Sequence, residues 1–260
     1  MKFTSQNVYI SPRARIGQNV RIGDNATIYD NVELGDNTVI GTYAIVGEPL
    51  MAYYHHGVPY ENPPTIIGRD SIIRSHSVVY AGCTIDEAFS CGHHTLIREA
   101  SKIGAHCSLG SFADLEGCAQ IGNYCRLHSN VHVSQQSALG DFVWMFPFSV
   151  IANDPYPPSH DIQGSYIGNY TQVCVHAVVL AGVRIGENCM VGAHSLVNKN
   201  LPDFSLASGN PLTVRDIRKY SILGKGHVYP WMTRFDRGMP WEGIGYEEWS
   251  RLNTSNVGSK

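Results

Sequence analysis

The sequence lacks a basic surplus. Nineteen Lys and Arg stand against 22 Asp and Glu, a formal net charge of -3, so no cationic surplus is present to neutralise a nucleic-acid backbone, and nucleic acid is excluded as a partner. Charged residues are scarce altogether, at 16% against 43% hydrophobic, which excludes a disordered chain. Nowhere do the ~20 apolar residues of a membrane span run together. The opening residues, MKFTSQNVYISPRARIG, contain no continuous apolar stretch of a secretory leader. A folded cytoplasmic protein without a membrane partner is expected. The seven cysteines form no CxxC pair and no zinc-ribbon spacing, which fits a reducing compartment where Cys serves as a small apolar residue.

What the sequence has is a six-residue period. An aliphatic residue returns at every sixth position from Ile10 to Val46, from Ile67 to Ile151 and from Ile167 to Val197, and only Cys91 and Met145 in that series are not Ile, Leu or Val. The following residue is often Gly, and the fourth one on is usually small, as at Ala26, Thr38, Ala113 and Ser137. Neither a 3.6-residue helix nor a plain alternating strand makes this pattern. It is a hexapeptide repeat, and it predicts an all-β parallel β-helix in which the aliphatic and the small residue both point inward. At three repeats per coil the series gives about nine coils. Cys83, Cys107, Cys125 and Cys189 take the small inward position, so they are packing residues.

The third residue after the aliphatic turns a corner. Asn19, Asn25, Asn31 and Asn37 sit there, residues that tolerate positive φ, and so do His76, His94, His106, His176 and His194. These five histidines are therefore read as corner residues rather than as ligands. The period breaks twice, at loops 47–66 and 152–166, both rich in Pro, Tyr and His. Insertions in a solenoid loop out and commonly carry binding function. The domain division expected is residues 1–200 for the β-helix and 201–260 for a C-terminal segment, with a short helix over 213–223 followed by an extended aromatic tail that packs on the β-helix flank or on a neighbouring subunit.

These residues carry a resemblance. The repeat is similar to that of the left-handed β-helix acyltransferases of the hexapeptide transferase superfamily, and SGNPLTVRDIR resembles the closing G-N-P-x-x-x-[RK] signature of that superfamily. GHHTLIRE, LHSNVH, NDPYPP and the YPW…FDRGMPW tail resemble N-acetyltransferases acting on dTDP-linked 3-amino-dideoxysugars. The resemblance implies left-handedness, a homotrimer, acetyl-CoA as co-substrate, and a nucleotide-linked amino-sugar as acceptor.

Register points independently to one constellation. Residues 18 apart stack on adjacent coils, which puts Asp114 beneath His132 and Arg98 beneath Glu116, with Asp114, Glu116, His128 and His132 all outward. Asp114, His128 and His132 are the candidate catalytic residues, because a carboxylate beside an imidazole can orient it and raise its pKa, or hold a substrate ammonium. Glu116, Asn130, Asn153, Asp154, Tyr53 and His55 are assigned to the sugar nucleotide. The resemblance implies that Trp144, Gly192, Ala193, Lys199, Asn210, Pro211 and Arg215 hold acetyl-CoA. Many sugar-acylating relatives place a His base in an A-H-[DN]-x-x-[ILV]-G motif, and the corresponding stretch here is VSQQSALG, with Gln135 at the His position. An amine nucleophile resolves that departure, since a neutral amine attacks a thioester without prior deprotonation.

Three other readings remain open. Loop one, with GEP…PPTIIGRDSIIRSHSVVYAG, resembles the insertion of acyltransferases that transfer from acyl carrier protein to a UDP-amino-sugar. A metal hydrase of the γ-carbonic anhydrase type needs a three-His site that the HSNVH spacing does not match, and no metal is expected. A non-catalytic scaffold is the fourth.

Overall fold

The computed structural model describes residues 4–57, 59–219 and 235–254. The chain divides into two compact units, residues 1–215 and 216–260.

In the first unit each hexad forms one strand, most of them two residues long, such as Thr27–Ile28, Asp114–Leu115 and His132–Val133. Each strand pairs in parallel with the one a coil away, so the strands sort into three sheets. Face A has 10 strands, face B nine and face C 11. The stack therefore reaches ten to eleven coils, where the aliphatic count gives about nine. The extra length comes from Ser205–Ser208 and Thr213–Asp216, which extend face C after the six-residue period has lapsed. The helix expected from residue 213 is not there. Thr213 and Val214 are β-branched and begin a strand, and a single 3-10 turn, Ile217–Lys219, follows. Residues 220–223 of that expectation lie outside the described residues.

The core follows the hexad. Ile28, Ile40, Ile67, Ile85, Leu115, Val133 and Ile151 are fully buried, and Ala26, Cys107, Ala113 and Cys125 fill the narrow inward positions between them. Burying each large aliphatic is worth about 1.5–3 kcal/mol. The inward cysteines are free thiols, and burial pushes the Cys83 thiol up to about 12. At the N-terminal end the pattern is present, but among the described residues Ile10 and Ile16 stay 42% and 39% exposed.

Side chains occupy the corners in a left-handed backbone conformation. The five corner histidines have φ between +54° and +60°, and they stack on corner rings one coil away. Tyr43, His76, His94 and Phe112 form one such column, with centroids 4.8 to 5.0 Å apart. Corner amides are satisfied from the next coil, as where Asn123 N–H donates to Asp141 Oδ1 at 2.6 Å. Gly110 is required by close approach, because a Cβ there would sit 2.2 Å from the Ser129 nitrogen.

Loop one leaves after Ile45–Glu48 and returns at Thr65–Ile67. Buried Asn62 ties it down by donating to the Gly47 carbonyl at 2.7 Å. Loop two leaves after Val150–Ile151 and returns at Tyr166–Ile167.

In the second unit Trp241 is buried and donates from Nε1 to the Phe235 carbonyl at 3.1 Å. Its ring meets Tyr246 and Trp249 of the helix Tyr246–Thr254 at 5.1 and 5.3 Å. The rest of the aromatic tail, residues 227–234, lies outside the described residues.

Candidate active site

Asp114 and His132 are register partners on face A. Leu115 and Val133 between them point inward and are fully buried, so strand alternation turns the acid and the imidazole outward side by side. His132 Nδ1 lies 3.2 Å from Asp114 Oδ2, and His132 Nε2 lies 3.8 Å from Glu116 Oε2. The imidazole is thus held between two carboxylates. The hydrogen bond to Asp114 raises the His132 pKa above its ordinary value, the charges of Asp114 and Glu116 add to the shift, and partial burial opposes it.

Glu116 is fixed in turn. Its Oε2 accepts from the Asn153 side-chain amide at 3.3 Å and from the Gln135 backbone N–H at 3.4 Å. Gln135, whose side chain departs from a familiar pattern, therefore contributes through its main chain. Asp114 Oδ1 is buried and accepts no hydrogen bond among the described residues. Such an oxygen is costly unless a donor is supplied.

His128 stands across the Asn130 corner, on face C. Its ring stacks on Phe146 at 5.1 Å and 11°, with Trp144 6.3 Å away. Burial lowers the His128 pKa, and the nearby Arg126 charge adds to the shift. The two histidines are therefore opposite in character, His132 tending to imidazolium and His128 to neutral imidazole. Phe146 was not singled out from the sequence, although it lies 18 residues beyond His128 and register alone points to it.

The other candidates divide by face. Asn130 is at the corner between the histidines with φ +58°. Asp154 is occupied with its own loop, accepting from Tyr156 N–H, Ser159 N–H and Ser159 Oγ–H at 2.8, 2.6 and 2.7 Å. Arg98 pairs with its neighbour Glu99 at 2.9 Å, although register put it beneath Glu116. Tyr53 is exposed on loop one with its ring edge-on to Tyr54 and Tyr60, and His55 ends the same 3-10 turn, exposed. Trp144 begins the face C strand Trp144–Met145, and Gly192 follows the face C strand Met190–Val191. A Cβ at Gly192 would meet Ser208 Cβ at 3.2 Å. Ala193, Lys199, Asn210, Pro211 and Arg215 are exposed, with Asn210–Pro211 a cis peptide. Among the described residues no group of three or more His, Cys, Asp or Glu is placed to hold a metal ion, and no helix is long and apolar enough to cross a membrane.

A stack of coils, each built from three six-residue repeats, defines the class, the hexapeptide-repeat β-solenoids. Residues 6–48 and 164–199 match the model of the bacterial transferase hexapeptide (six repeats). It is 32% identical over 151 residues to the bifunctional protein GlmU of Gloeothece citriformis, a match covering 56% of this chain and 32% of that protein. The chain thus spans about a third of the length of the curated relatives it matches first. Among solved structures, an Arabidopsis UDP-N-acetylglucosamine acyltransferase shares the fold at TM-score 0.50, with 14% identity over 83% of this chain and 74% of the other. A GDP-perosamine N-acetyltransferase from Caulobacter crescentus, in complex with CoA and GDP-perosamine, aligns at 24% identity over 54% of this chain and 56% of the other. Its TM-score of 0.26 is too low to carry residues from one site to the other.

Proposed function

We propose that the chain is an acyltransferase that moves an acetyl group from acetyl-CoA to the amino group of a nucleotide-linked amino-deoxysugar. The observation that carries this reading is the bridged His132 with the unpartnered Asp114 Oδ1 beside it. A substrate amine is an N–H donor, and the Asp114 side chain, 36% exposed, is open to one.

In the step proposed, the neutral amine attacks the thioester carbonyl, so that a C–N bond forms, the C–S bond breaks, and one proton passes from nitrogen to the CoA sulfur. Asp114 holds the amine against the carbonyl. His132, whose pKa the Asp114 hydrogen bond and the two carboxylate charges raise, favours the cationic form and stabilises negative charge developing beside it. Most of the acceleration then comes from positioning.

One observation favours a second reading, transfer from acyl carrier protein to a hydroxyl of a UDP-amino-sugar. A hydroxyl needs a base, and His128, with its pKa lowered, is neutral and able to act as one. The test offers acetyl-CoA or acyl carrier protein donors with amino- and hydroxy-sugar nucleotides, and follows free thiol together with the mass of the acceptor. Acetylation of an amine acceptor is expected. Transfer confined to hydroxyl acceptors would replace the first reading by the second. No transfer with any pair, from a chain that binds the substrates, would leave a scaffold. The trimer belongs to the same proposal and is measured by light scattering. A fully active monomer would remove any site shared between copies.

A further inference from the structure

Face A carries a second cluster, three coils from Asp114 toward the N-terminus. Tyr80 is in register with Glu48, and loop one turns back so that Tyr54 donates its hydroxyl to the Glu48 carboxylate. Burial raises the Tyr29 pKa, and the charges of Glu48, Tyr53 and Tyr9 add to the shift; the Tyr9 and Tyr29 rings meet edge-on at 6.4 Å. Tyr53 and Tyr54 remain 54% and 57% exposed, edge-on at 5.1 Å. The loop that presents them is not a loose excursion, since Leu50 N–H donates to Tyr60 Oη at 2.9 Å and Tyr60 Oη donates to buried Asn62 at 2.6 Å. Exposed tyrosines on an anchored loop offer flat stacking area at little entropic cost.

Between this cluster and Asp114 lies Arg98. Successive strands of face A run Ile45–Glu48, Val78–Tyr80, Leu96–Ile97, Asp114–Leu115. At a strand spacing of about 4.8 Å, Arg98 is about 5 Å, Tyr80 about 10 Å and Glu48 about 14 Å along the stack from Asp114. The pair with Glu99 uses Nε and Nη2, two of the five N–H donors of a guanidinium, and leaves Nη1 outside it. Face A thus presents carboxylates, then a guanidinium, then an aromatic cluster with one acid. An amino-sugar attached through a diphosphate to a nucleoside makes the same demands in the same order.

We propose that the tyrosine cluster around Glu48 is the nucleoside subsite of this face. The base stacks on Tyr53 and Tyr80, the ribose hydroxyls donate to Glu48, and Arg98 binds the diphosphate. This assignment rests on the reading of the acceptor as a nucleotide-linked amino-sugar, and it adds the residues that recognise the nucleotide.

The test is calorimetric titration of the full chain with dTDP, UDP and GDP, none of which carries the reacting amine. At least one is expected to bind. Arg98→Ala and Tyr53→Ala are each expected to weaken it roughly ten- to a hundredfold, while circular dichroism remains that of the parent. Tyr53 is exposed on a loop, so its variant keeps the test valid if the Arg98 variant misfolds. Absence of binding by all three nucleotides, or unchanged affinity in the folded variants, overturns the assignment. Acetylation of a free amino-sugar run in parallel separates the two ideas. A chain that acetylates the free sugar and ignores nucleotides refutes this subsite and keeps the transferase. A chain whose nucleotide binding falls in both variants but that transfers no acyl group does the reverse.

Discussion

Asp114 and His132 face each other across one coil boundary, 18 residues apart in sequence and 3.2 Å apart at Oδ2 and Nδ1. Glu116 approaches the other ring nitrogen at 3.8 Å, so a carboxylate stands on each side of the imidazole.

Asp114→Asn is expected to reduce turnover more than either His128→Ala or His132→Ala. Removal of a well-placed acid–base group costs typically about 10²–10⁴-fold, and a histidine that only positions or screens should cost on the order of tenfold. Steady-state rates across pH 6–9 check this, and with no enzyme base the rate should track deprotonation of the acceptor amine. Complete loss in His132→Ala with both substrates still bound would make His132 the base.

A pH signature of stability follows from the raised His132 pKa. The folded value lies above the unfolded one, so the contribution is fully present below the ordinary His value of about 6.5 and disappears as pH rises through the folded value. The difference in Tm between the parent and His132→Gln should therefore be largest near pH ~5.5 and shrink toward pH ~9. A difference that grows with pH would refute the bridged imidazolium.

Gly110→Ala tests the close packing of coils. The added Cβ would fall 2.2 Å from the Ser129 nitrogen, a backbone atom that cannot swing aside. Overpacking of this kind costs about 1–3 kcal/mol, and thermal melting should show a drop of several degrees. An unchanged Tm would mean that the corner has room to shift.

For the donor side, Arg215→Ala is expected to raise KM for acetyl-CoA and spare that for the sugar nucleotide. Initial rates with each substrate varied in turn check it. Equal effects on both would assign Arg215 a structural part.

The hexad made some features legible and hid others, for physical reasons. A strand alternates its side chains without regard to what they are, so burial of Leu115 and Val133, and with it the pairing of Asp114 with His132, could be read from spacing alone. The φ near +60° at His76 and His94 could be read in the same way, because the corner demands it of any residue. Choices among competing local partners could not. Asp154 folds onto Ser159 and Arg98 onto Glu99 because the nearer partner requires less ordering of side chain and loop, and spacing says nothing of rotamers. The strand at Thr213–Asp216 escaped because pairing to an existing sheet edge outweighs a helical reading of a short polar stretch.

The exposure of Ile10 and Ile16 in the first coil among the described residues has a kinetic consequence. In a stack whose turns touch only their neighbours, opening proceeds from the end with one interface missing. Amide exchange should therefore run as a gradient along the axis, fast at Tyr9–Ile10 and slow by Asp114–Leu115, the sixth of ten strands on its face. The acid–imidazole pair thus sits where the molecule breathes least, while the outermost turn is free to fray and re-form without disturbing it.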